Sequence, residues 1–369
     1  MKNKAMLRIC CKSDMRIGKF RMKKRRFIIL SICAALLVVG ILAVIFRPKR
    51  QILYKVTYLP SLGGEFTLPC SINDRGQVAG FSKVRGRTYH LFLWDREKGI
   101  QDLGPGSSPF INNTGQIAAT MQDPNGNVRA FIWDSKQGRH ILPILGGKTT
   151  TANGINNHGQ VVGAAKTNSG ILHACVWNTD SEIQDITPSS KLNTRAWSIN
   201  DDGQVIVLAS GQLLVDINKG KTSTPQPIPV LGLIEINNNG YIAGVVRTGS
   251  GKFDIGIWHP NSNVTRLLGL NMYSPDSGQI NDVNQVIFST QQKAIKLFGR
   301  TLFTRAVKNH LQDPNLGRIP LNEYVSIGGD ENLCLMDINN KGCIIGAVQS
   351  AKDRSSRGVL LEPIPEQWK

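Results

Sequence analysis

Acidic residues are scarce in this chain, and so are long apolar runs. Asp and Glu number 26 against 44 Lys and Arg, a formal net charge of +18. No Cys-x-x-Cys pair and no Cys/His zinc spacing occurs, which excludes the usual structural zinc sites. No Ser/His/Asp triad, P-loop, His-Glu-x-x-His or EF-hand loop is present, so no cofactor is expected and no reaction is named. Glycoside hydrolysis needs a pair of carboxyls flanking the scissile bond. The few acids here sit mostly in turns or at strand ends, which argues against an enzyme.

The positive charge is lopsided. Residues 1–50 hold fourteen Lys or Arg and one acid, leaving thirty positives and twenty-five acids, or +5, for the rest. A nucleic-acid partner needs a clustered basic face on a folded domain, and none is indicated. The one long apolar run, Phe27–Phe46, is twenty residues without a charge. As a helix it is roughly 30 Å long, the thickness of a hydrocarbon core. The bias of Lys and Arg before it predicts a cytoplasmic N-terminus. The run exceeds a signal-peptide core and lacks a small-x-small cleavage site, which predicts an uncleaved signal-anchor. The expected organisation is a basic cytoplasmic segment over 1–26, a transmembrane helix over 27–46, a linker over 47–53 and a repeat domain over 54–369. The expected location is a single-pass membrane protein with its repeats periplasmic or extracellular. Met22-Lys23-Lys24-Arg25-Arg26, directly before the run, also has the look of an initiation point.

What is abundant is one turn. Ile72-Asn73-Asp74-Arg75-Gly76-Gln77-Val78-Ala79-Gly80 has counterparts beginning at Ile111, Ile155, Ile199, Ile236, Ile280 and Ile338, at spacings of 39, 44, 44, 37, 44 and 58 residues. Asn bonds its side chain to backbone two residues on, and Gly supplies a positive φ, so Asn-x-x-Gly between apolar runs reads as a tight hairpin. In the sixth copy Asn284 stands where Gly is expected, and Asn is the side chain that best tolerates the left-handed region. Aromatic strands follow, among them Leu91-Phe92-Leu93-Trp94 and Ala130-Phe131-Ile132-Trp133, and then an outer strand. Four strands per unit of about 45 residues is a propeller blade. Leu59-Pro60-Ser61-Leu62-Gly63-Gly64 matches Leu142-Pro143-Ile144-Leu145-Gly146-Gly147, a fourth strand lacking its first three. Arg357-Gly358-Val359-Leu360-Leu361-Glu362 is a third strand lacking its fourth. The fold class expected is therefore all-β: a seven-bladed β-propeller closed by the N- and C-terminal strands and preceded by one transmembrane helix. Within the longest interval, Thr301–Leu311 reads as a short amphipathic helix.

The turns, with His90-Leu91-Phe92, Arg129-Ala130-Phe131 and His173-Ala174-Cys175 ahead of the aromatic strands, resemble the HAF-repeat family of bacterial extracytoplasmic proteins. The resemblance covers the chain from about residue 52 onward. It implies a location outside the cytoplasm and no particular activity.

Two features could carry chemistry. Asp74, Asp201–Asp202 and Asp282 lie in the turns, where clustered oxygens suit Ca²⁺. The equivalent Asn113, Asn157, Asn238 and Asn340 favour turn formation instead, so no metal is expected. The second is His90, Arg129, His173, Asp254 and Arg357, which occupy equivalent blade positions and could ring the axis to bind an anion; the plainer reading is that each bonds to its own loop. The function expected is a membrane-anchored binding or scaffold module for protein or glycan. The alternative is a propeller-type hydrolase or lyase acting on extracellular glycans.

Overall fold

Each Ile-Asn turn ends one strand and starts the next. In the computed structural model the Asn73 N–H donates to Gln77 O at 3.1 Å and the Gly76 N–H donates to Asn73 O at 3.0 Å. Gly76 has φ +78°, and Asn284 takes the same left-handed conformation at φ +61°. The structure describes residues 53–367 apart from 86–87, 180–181, 220–225, 263–264, 271–274, 292–295, 298–299, 302–306, 329–330 and 351–354.

Among the described residues the strands form seven antiparallel four-stranded sheets and one two-stranded ribbon: five of the seven stand alone, and an eight-stranded assembly divides into two more. The division falls at one parallel bridge, Phe66 to Ser356. The first blade is Gly63–Ile72, Val78–Val84, Tyr89–Asp95 and Gly99–Pro105. Inner strands of the next five are Ser107–Ile111, Gly146–Ile155, Arg195–Ile199, Leu231–Ile236 and Pro275–Ile280. The seventh comprises Glu331–Ile338, Ile344–Ser350 and Ser356–Pro363, with Tyr54–Tyr58 as its outer strand. That outer strand runs antiparallel to the chain's last one, from Tyr54 opposite Pro363 to Tyr58 opposite Val359.

Apolar side chains pack between sheets, one cluster for each seam. Leu91 and Leu93 of the first blade meet Ile117, Phe131 and Trp133 of the second. Phe92 and Trp94, on the same strand, meet Ile345 and Leu360 of the seventh. Alternate residues of a strand therefore feed opposite seams, which is why these strands are apolar on both faces. Trp177 is fully buried and donates its indole N–H to Pro143 O at 3.0 Å.

Every inner strand carries a register shift against its neighbour near its Ile-Asn end, as between Pro69 and Ser71, Ala152 and Gly154, and Leu335 and Asp337. Such bulges bend a strand and re-aim side chains. Just before the bulge a carbonyl presses on the second strand: a Cβ on Gly163 would lie 1.8 Å from Thr151 O, and one on Gly346 2.4 Å from Cys334 O. This accounts for glycine at that position in Gly80, Gly163 and Gly346, whereas Ala119, Val207 and Phe288 occupy it in the second, fourth and sixth blades.

Two expectations need correction. The fold class and the location assumed a transmembrane helix over 27–46. Among the described residues no helix is long and apolar enough to cross a membrane; Leu321–Tyr324 is four residues long and Pro365–Gln367 is a 3-10 turn. The apolar residues there lie in short strands that bury them between sheets. Residues 27–46 fall outside the described residues, and the single-pass placement is not carried further. The sheets stay separate and form no barrel: among the described residues the Phe66–Ser356 bridge is the one strand pairing between them. Within the long interval, Val307–Leu311 belongs to strand Val307–Asp313, the third of the sixth blade, and not to a helix. Its alternation buries Asn309 and Leu311, and the added length holds a small hairpin, Lys296–Leu297 with Arg300–Thr301. Cys70, Cys175 and Cys343 are free thiols.

Candidate functional site: the axial channel

The seven turns converge on the axis and are tied there by side chains. The first Asn of each turn donates from its amide to the carbonyl of the same residue in the next blade. The series runs Asn73, Asn112, Asn156, Asn200, Asn237, Asn281, Asn339 and back to Asn73, with distances of 2.8–3.2 Å. All seven are buried, at 2–4% exposure. The same amide donates to the turn's Gln: Asn73 Nδ2 lies 2.9 Å from Gln77 Oε1. Asn73 Oδ1 accepts from the Arg75 and Gln77 N–H groups. Buried amides with both ends satisfied rigidify and specify a core.

A second girdle lies one residue on. The N–H of Asp74 donates to the Asn113 carboxamide, and the pattern passes through Asn157, Asp201, Asn238, Asp282 and Asn340 back to Asp74 at 2.7–2.8 Å. The carboxylates also accept amide N–H groups: Asn113 and Asn340 donate to Asp74, Asn157 to Asp201, and Asn238 and Asn340 to Asp282. These acids hold the ring through amides, and their oxygens already have partners.

The two girdles surround a channel of about 260 Å³. The residue before each Ile also faces it. Some of these side chains form a third set of links: Ser71 Oγ accepts from Ile111 N–H, Glu235 from Ile280 N–H at 3.1 Å, and Asp337 from Ile72 N–H at 2.9 Å. Glu235 and Asp337 are half-buried, and the channel reaches them. Burial pushes the Asp337 carboxyl up to about 6, against hydrogen bonds from Ile72, Ile338 and Ser71 that favour its charge. Burial, and secondarily the charge of Asp337, pushes Glu235 well above the usual carboxyl range.

The five residues expected to ring the axis lie elsewhere. They sit on third strands, and none lines the channel. His90 Nδ1 is 2.9 Å from Asp102, and His173 Nδ1 is 2.7 Å from Asp185, each within its own blade. The other ring nitrogen of His173 contacts Ser190 O at 3.1 Å. Asp254 is 3% exposed and accepts the Gly269 and Leu270 N–H groups. Arg357 pairs with Glu331 and lies over the Tyr58 ring. Arg129 Nε is buried without a hydrogen-bond partner.

Sequence reasoning missed Glu235 and Asp337. The available signal was an acid directly before Ile-Asn in two repeats whose counterparts carry Ser71, Phe110, Gly154, Ser198 and Gln279. Only the bulge turns that position toward the axis.

No family model and no curated protein matches the chain. Solved structures do. An oligogalacturonate lyase in complex with manganese is 11% identical with a TM-score of 0.55, covering 86% of this chain and 98% of that one. The acylaminoacyl peptidase of Pyrococcus horikoshii is 10% identical with a TM-score of 0.55, covering 82% of this chain and 52% of that one. This chain thus spans about half the peptidase's length. The Dos1 propeller is 8% identical at a TM-score of 0.46, covering 84% and 94%. These likenesses concern the fold alone. The chain is a propeller module whose structural neighbours include a peptidase and a lyase.

Proposed function

We propose that this chain is a binding or scaffold module of the HAF-repeat type, taking a glycan or a protein on a propeller face, and that it is not an enzyme. The observation carrying this is the use made of the repeat's polar residues: they are consumed in links between blades. The repeat builds a rigid wheel and leaves recognition to side chains outside the motif. Phe66, Phe81 and Tyr89 form such a group on the first blade, with ring centroids 5.6–6.0 Å apart and Tyr89 44% exposed. A partly exposed aromatic platform suits the apolar face of a sugar ring or an apolar side chain.

A glycan array probed with the full chain and with Tyr89→Ala tests the glycan form of this reading. The expectation is a glycan bound by the parent at least tenfold more tightly than by Tyr89→Ala. Equal binding by both would remove the platform from the account.

The alternative, a glycan hydrolase or lyase, draws support from the two channel carboxyls. Each accepts a backbone N–H of the neighbouring blade, a bond an amide would keep. The binding reading therefore expects no glycan turnover, and none that Glu235→Gln abolishes.

A further inference from the structure

Glu235 and Asp337 stand on inner strands of the fifth and seventh blades, with Gln279 of the sixth between them. Each carboxyl reaches across a seam, to Ile280 N–H and to Ile72 N–H. The Gln279 carboxamide abuts Glu235. The charged and titratable groups around the pair are Asp74, Asp201 and Asp282 from the turns and the Cys70 thiol from the first blade's inner strand. No Lys, Arg or His lines the channel among the described residues. Two like charges lining one channel without a counter-charge repel each other and are partly stripped of water, so the second ionisation is resisted.

We propose that Glu235 and Asp337 form a proton-operated latch in the axial channel, whose deprotonation loosens the inner edges of the fifth to seventh blades. The neighbours accommodate both states. The Gln279 NH₂ donates to an ionised Glu235, and its carbonyl accepts from a protonated one. The seam bonds from Ile280 and Ile72 survive protonation, because each carboxyl keeps an acceptor oxygen. Deprotonation adds a like charge to a ring that already holds Asp74 and Asp282 at its mouth.

The direction of the pH effect follows from linkage. Burial raises both groups in the folded state, so the native protein holds the proton more tightly than the unfolded chain does. The stabilisation is complete below the ordinary carboxyl range and is lost as pH rises, through about 6 for Asp337 and through the raised range of Glu235. Asp95 and Asp313 are held below their ordinary value near 3.8 and act only in stronger acid. His310, held low by burial, gives an opposite slope across part of the same window. The informative quantity is therefore the difference between parent and variant.

Thermal unfolding of the full chain at about pH 5 and about pH 8 tests the latch in the parent, Glu235→Gln, Asp337→Asn and the double variant. The midpoint lost by the parent between the two pH values should shrink by at least half in the double variant. The same loss in parent and double variant would overturn the latch. A measurement on the parent alone guards against variants that do not fold. Infrared spectra at neutral pH should show the carbonyl band of a protonated carboxyl, and its absence would also overturn the proposal.

Discussion

Asn237 shows how a single residue depends on its surroundings. Its turn carries Tyr241 where most copies have Gln, so the acceptor that Gln77 gives Asn73 is missing. Asn284 of the next blade supplies it: its Oδ1 accepts from Asn237 Nδ2 at 2.8 Å. The same residue adopts the left-handed conformation that Gly takes in the other turns. Asn284 thus serves both a backbone need and a hydrogen bond across the seam. Asn284→Gly should relieve backbone strain and lose the bond, effects of about 1 kcal/mol each that nearly cancel. Adding Tyr241→Gln restores an acceptor within the turn. A double-mutant cycle by urea denaturation should therefore show favourable coupling of at least about 1 kcal/mol. Additive single effects would mean that the two positions do not share Asn237. The sequence betrayed the backbone need, because Asn replaced Gly at one fixed place. It could not betray the bond, since the partner lies 47 residues away.

At the scale of the strand, the bulge is the device that matters. It turns the residue before Ile toward the axis and brings a carbonyl onto the second strand. Gly163 meets this carbonyl most closely, since an added Cβ would sit 1.8 Å from Thr151 O. Backbone must move to admit it. We expect Gly163→Ala to cost about 2–4 kcal/mol in urea denaturation, at or above the usual range for overpacking. Ala119 occupies the equivalent position in the second blade, where the register shift is spread between Ser107 and Phe110. Ala119→Gly should accordingly cost little, within about 1 kcal/mol. The turns and aromatic strands were legible from alternation and from Asn-x-x-Gly. The bulges were not, because one extra residue leaves no compositional mark. Reading Thr301–Leu311 as a helix failed for a related reason: a short apolar run has no clear period, and its length fits a strand as well. The His90 and His173 positions were found, but their partners, Asp102 and Asp185, each twelve residues on, were not recognised as a repeated pair.

At the scale of the whole molecule, closure rests on three kinds of contact, two at the seam between the seventh and first blades and one within the seventh blade. Asn339 donates to Asn73 O at 2.9 Å, Ile345 and Leu360 pack against Phe92 and Trp94, and Tyr54–Tyr58 lies along the chain's final strand. The complementary half-blades at the two ends made the last of these readable from sequence. The girdles were unreadable, because a ring of side chains around an axis exists only once all seven turns are in place. The single-pass membrane expectation rested on an apolar run that has no counterpart among the described residues.

Hydrogen exchange along Ser356–Pro363 tests closure most directly, in the full chain and in one lacking everything through Tyr58. Closure predicts strong protection of Val359 to Leu361 in the full chain. It also predicts a loss of at least a hundredfold in the shortened one, spreading to the Asn339 and Asn73 turns. Unchanged protection of that strand after removal of Tyr54–Tyr58 would contradict a ring locked by its own two ends.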